Sequence, residues 1–187
     1  MQRTDFVCLM ATYNQWMNDK LLEAAQSLPY EELVADRGAF FGSILSTLNH
    51  LINADTTWLK RFAHHPAGHP ALDPLRALPM PDLGDLHRFD DLESFSTQRR
   101  WLDARIIDWA SSITEPDLDV VLHYANSRGV EADKSFFGLV THFFNHQTHH
   151  RGQVSTLFSQ AGVDVGVTDL LALVPQATFQ SEVAGQA

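Results

Sequence analysis

A single cysteine, Cys8, leaves this chain without an intrachain disulfide and without the thiolates of a structural zinc site. No apolar run approaches the roughly 18 residues that read as a bilayer span, so no membrane partner is expected. The opening stretch MQRTDFVCLMATYNQW breaks its apolar positions with polar ones and has no signal-peptide core. Lysine and arginine are scarce, 13 against 23 aspartates and glutamates, and the net charge of -10 argues against a nucleic-acid partner. The glycines form no phosphate-cradling loop, and no Ser-His-Asp arrangement is visible. What remains, 44% hydrophobic and 19% charged, is ordinary globular composition, and 187 residues suffice for one unstapled core. These features predict a cytoplasmic protein with a single domain over residues 1–175 and a flexible tail over 176–187.

Histidine, in contrast, is concentrated. His142, His146, His149 and His150, four of the ten, fall within THFFNHQTHHRGQ. On a helix, residues four apart sit about 40° around the axis and one turn up, so His142, His146 and His150 form one stripe with His149 on its shoulder. Imidazoles at i and i+4 can grip one metal ion. Burying such a stripe otherwise demands a hydrogen-bond partner for every ring.

Apolar periodicity places four long helices around this stretch. The first runs from about Thr4 to Leu28 and the second from about Phe41 to Phe62, with Phe40 counted on its apolar face and a polar connection over 31–38 between them. The third spans about Asp91 to Ile113, with Arg99, Arg100 and Asp103 assigned to its solvated side. The fourth spans about Ser135 to Ala161. Five of the eight prolines lie in 64–91, which reads as a long irregular crossover with His64, His65, His69 and His87 as solvated loop residues. Alternation over 119–134 around a turn at Asn126 to Gly129 predicts a small β-hairpin, and Thr168 to Val174 a short helical turn. The expected fold class is all-α: a four-helix bundle with a long crossover connection and a small hairpin before the last helix.

His50 interrupts the second helix among Ser43, Ser46, Thr47, Ala54 and Thr57, small neighbours that leave room beside an imidazole. With His146 and His150 it would make three neutral nitrogen ligands from two facing helices and leave an open coordination position. His142 shares the stripe and stays an alternative to His146 or His150. Asn49, His142, Asn145 and Gln153 are the groups available to orient the rings. Asp55 lies about 140° from His50 and reads as a charged helix contact. Di-iron chemistry would need Glu-x-x-His pairs, and position 147, where a His-Glu-x-x-His protease carries its general base, is Gln. An open three-histidine site suits one divalent ion, and imidazole ligation does not choose strongly among zinc, nickel, cobalt and iron; the expected cofactor is one such ion, zinc or nickel before iron, cobalt or manganese. His123 has no partner at ligand spacing, and Cys8 reads as a small apolar residue on a packed helix face.

YNQWMNDKLL (Tyr13 to Leu22), SILSTLNHLINADTTWLKRF (Ser43 to Phe62) and HFFNHQTHHRGQV (His142 to Val154) together resemble the DinB-like family, the DinB/YfiT-like metalloenzymes, over essentially the whole chain. The resemblance implies a four-helix bundle, a homodimer, and a divalent metal held by three histidines, which fall here on His50, His146 and His150. His149 occupies a position often taken by Tyr or His and is not counted as a ligand. The activity implied is thiol-dependent transfer to a small electrophile, the thiol being of low molecular weight. Metal-dependent hydrolysis and a non-catalytic metal-binding dimer are the alternatives.

Overall fold

In the computed structural model, residues 1–126 and 128–176 are described; the tail expected over 176–187 falls outside them but for Gln176. The described residues form six α-helices: α1 (Arg3–Gln26), α2 (Tyr30–Val34), α3 (Ile44–Phe62), α4 (Asp73–Arg76), α5 (Leu92–Ser112) and α6 (Phe136–Gln160). The four long ones pack in a ring: α1 touches α5 and α6, and α3 touches the same two. The prolonged apolar stripes predicted this bundle, and their side chains fill its centre. Phe62 stacks on Trp109 at 5.2 Å, with Phe136 and Phe143 edge-on to Phe62, and all four are buried.

Local chemistry starts the helices where they start. The Ser43 hydroxyl accepts from the Ser46 N–H at 3.1 Å, and the Asp91 carboxylate accepts from the Ser94 N–H at 2.8 Å. Between α5 and α6, β1 (Val121–Ala125) and β2 (Glu131–Ser135) form the antiparallel hairpin, with His123 opposite Asp133. Two short helices correct the sequence reading. Tyr30–Val34 overlaps the connection expected over 31–38, and Asp73–Arg76 lies in the expected irregular crossover; each is too short for apolar periodicity to register, and each buries one leucine, Leu33 or Leu75. Phe40 lies outside α3 and is 88% exposed, because α3 begins only after the turn that ends at Gly42.

The crossover from α3 to α5 is held by side chains of α3. Asn49 donates to the Phe89 carbonyl at 3.0 Å and accepts the Phe89 N–H at 2.9 Å. One turn on, Asn53 donates to the Asp82 and Asp85 carbonyls and accepts from Arg88. Lys60 donates to the carbonyls of Leu75, Arg76 and Leu78.

Arg99 and Asp103, assigned to the solvated face of α5, are 2% and 1% exposed. Arg99 bridges Asp55 at 2.5 Å and Asp103 at 2.8 Å, Asn14 and Asn18 donate to Asp103, and Arg151 donates to Asn14. The buried charges are thus matched across α1, α3, α5 and α6. Asp55 keeps the expected role of a charged helix contact.

Candidate metal centre

Since α3 and α6 are neighbours in the ring, a histidine near the middle of one can meet the i, i+4 pair of the other. His150 Nε2 lies 3.2 Å from His50 Nε2 and 3.1 Å from His146 Nε2. Nitrogens about 2.0–2.1 Å from a common tetrahedral ion lie about 3.3–3.4 Å apart, so these separations fit a single ion within a few tenths of an ångström. The three form a group that could hold a metal ion, and among the described residues no fourth His, Cys, Asp or Glu joins it.

The hydrogen bonding around the group favours lone pairs pointing inward. Gln153 Oε1 is 2.7 Å from His150 Nδ1. A carboxamide oxygen only accepts, so Nδ1 carries the hydrogen and Nε2 turns its lone pair to the other two rings. His50 Nδ1 is buried without a hydrogen bond, although the Leu83 backbone lies near enough to favour the protonated ring slightly. On its outer side the His50 ring is covered by Phe41, stacked at 4.1 Å and 24°. A tight turn puts Phe41 there: Gly42 N–H donates to Ala39 at 2.8 Å, and Gly42 itself adopts φ 78°, which a side chain would disfavour.

Burial dominates the electrostatics. It pushes the His50 pKa down to about 4, helped by the neighbouring His150, and the His146 pKa down to about 3, with His150 and His50 next in effect. His150 is also lowered by burial, with Gln153 opposing. All three rings are therefore neutral near pH 7 and keep a lone pair free of protons, the state a ligand nitrogen needs.

The other sequence-picked residues divide. Gln153 touches the group as described. His142 packs edge-on against Trp58 at 5.1 Å, and its ring is 6.0 Å from that of His146. His149 is exposed, its ring 4.8 Å from that of His150, and Asn145 is exposed. Asn49 is occupied with Phe89 and makes no hydrogen bond to any of the three rings. Beside His50 and His146 opens a cleft of about 190 Å³, walled by Trp58, Tyr124, Leu83 and His142. Phe41 and Tyr124 were not picked from sequence; both reach the site from loop or hairpin, where periodicity carries no signal.

The remaining histidines lie elsewhere. His64 and His87 are exposed, as loop residues should be. His65 and His69 are not solvated; each is 3% exposed. His65 Nε2 donates to the Asp117 carbonyl while its Nδ1 accepts from Ala67 N–H, and His69 Nδ1 meets Ser112. They pin the start of the crossover under α5, a long-range contact that loop composition conceals. His123 pairs with Asp133 at 2.9 Å across the hairpin.

Compared with known proteins, residues 1–182 match the model of the family described as "DinB family". The chain is 25% identical over 167 residues to "Protein DinB" of Bacillus subtilis (strain 168), covering 89% of this chain and 92% of that relative. No solved structure gives a significant match.

Proposed function

For this chain, which belongs to the DinB family, we propose a divalent-metal-dependent enzyme that transfers a small thiol to an electrophile, the ion being held by His50, His146 and His150. The observation that carries this reading is the convergence of three Nε2 atoms from two helices with no fourth protein ligand among the described residues. Zinc or nickel is expected before iron, cobalt or manganese. A divalent ion at an open position lowers the pKa of a thiol or water that enters it.

The residues of the chain supply the rest. Gln153 fixes the His150 tautomer, Phe41 shields one side of the centre, and Trp58 and Tyr124 wall the approach. The reaction balances simply: sulfur bonds to the electrophilic carbon, the leaving group departs with the electron pair of the broken bond, and the thiol loses its proton. His142 borders the cleft, and burial lowers its pKa, so it is neutral near pH 7 and available to take that proton. Hydrolysis is the alternative reading, in which the same ion lowers the pKa of a water and His142 takes its proton. A homodimer belongs to the proposal and is tested by sedimentation.

Turnover of a chloro-dinitroarene with and without added thiol, and with chelator, tests the reaction. Thiol-dependent consumption that chelator abolishes is expected. Thiol-independent hydrolysis, or no turnover with any of a broad panel of thiols and electrophiles, contradicts it.

A further inference from the structure

Arg61, in the last turn of α3, is half-buried beside the same cleft, and among the described residues no carboxylate or other acceptor meets its guanidinium. The contrast with its peers is sharp. The other half-buried or buried arginines are all engaged: Arg3 with Glu115, Arg37 with Glu32, Arg88 with Asn53, Arg99 with Asp55, Arg105 with Asp108 and Arg151 with Asn14. Arg88 and Arg151 meet amide oxygens and the rest meet carboxylates, so Arg61 differs in having no acceptor among the described residues, in a chain whose 23 acidic side chains outnumber its 13 basic ones.

Two aromatic rings hold the group in place. The guanidinium carbon lies 4.6 Å from the Trp58 ring centroid and 5.1 Å from that of Tyr124. Burial lowers its pKa, as it does for Arg88 and Arg151. Arg61 lines both the 190 Å³ cleft that reaches His50 and His146 and an outer cleft of about 550 Å³ that shares Thr57, Leu83 and Asn126 with it. The Asp82 carboxylate lines the outer cleft only, where it accepts from Gly84 N–H.

We propose that Arg61 is the anion-binding residue of this site, and that the small thiol it takes carries a carboxylate which the guanidinium fork holds while the sulfur reaches the three histidines. The thiol half rests on the function proposed above; the carboxylate half rests on the Arg61 cleft alone. A planar fork matches a carboxylate bidentately, and the Trp58 and Tyr124 rings keep it from collapsing onto another partner.

Two probes of similar length separate the contributions, 3-mercaptopropionate and the neutral 2-mercaptoethanol. On the metal-free protein, both are titrated while the Arg61 Nε–H and Trp58 indole N–H resonances are followed. The carboxylate should shift both signals saturably, and the neutral thiol should not. On the cobalt-loaded protein, thiol binding is read from the sulfur-to-cobalt absorption band. Mercaptopropionate should bind about tenfold or more tightly than mercaptoethanol. Arg61→Gln should erase that preference without changing metal content or mercaptoethanol affinity, and Arg61→Lys should keep part of it. Equal affinity of the two probes, or a preference that survives Arg61→Gln in a folded protein, overturns the proposal. If cobalt does not bind the histidines, the function proposed above fails, while the resonance titration still decides whether Arg61 binds the carboxylate.

Discussion

Removing the Gln153 carboxamide would leave the His150 Nδ1–H without its acceptor and free the ring to turn or change tautomer. Gln153→Ala should therefore weaken metal binding by roughly 10- to 100-fold in a chelator competition, with the fold intact. An unchanged affinity would show that His150 is oriented by packing alone. A different histidine offers a pH test. The hydrogen bond and charge of Asp133 raise the pKa of His123 above its ordinary 6.5. Any stability from that pair is present below about pH 6.5 and is lost as pH rises through the higher folded value. In an NMR titration His123 should titrate above 6.5, and Asp133→Asn should lower it towards that value, with the Glu131 charge still raising it. At this scale the imidazole cluster was legible in sequence because i, i+4 geometry is local. His65, His69 and Arg99 were misplaced because their partners, Asp117, Ser112 and Asp55, lie 43 to 52 residues away.

Among the elements, α3 does two tasks with adjacent residues: His50 faces α6, while Asn49 and Asn53 clasp the crossover. Asn49→Ala would strand the Phe89 N–H and carbonyl, groups half-buried under the bundle, at a cost of about 1–3 kcal/mol. Hydrogen exchange should quicken through residues 82–89 while α1 and α5 stay protected; uniform acceleration would mean the clasp is part of global stability. The bundle was readable from apolar spacing, but the start of α3 was not: the spacing carries that helix back to about Phe41, whereas the Ser43 cap begins it at Ile44. The asparagine pair was not readable either, because a polar residue on an apolar face does not say which backbone it will satisfy.

For the whole molecule, the buried Asp55–Arg99–Asp103 group ties α3 to α5, and Asn14, Asn18 and Arg151 extend it to α1 and α6. Arg99→Met removes the cation that bridges two buried carboxylates and should cost about 3–5 kcal/mol at pH 7 by denaturant unfolding. The pH dependence has an unusual sign. Burial already pushes Asp55 up to about 6 against the attraction of Arg99, and losing Arg99 raises it further. A folded carboxyl with a raised pKa binds protons more tightly than the unfolded one, so the deficit of Arg99→Met should shrink as pH falls from 7 towards 4. A deficit that is flat over that range would show the carboxylates find other compensation.

The most direct test is the metal content of protein purified without chelator, compared among the wild type, His50→Ala, His146→Ala, His150→Ala and His149→Ala. About one divalent ion per chain is predicted for the wild type and His149→Ala, and its loss from each of the other three. An ion that persists in a folded His50→Ala, or that departs with His149 instead, would contradict a centre shared between α3 and α6.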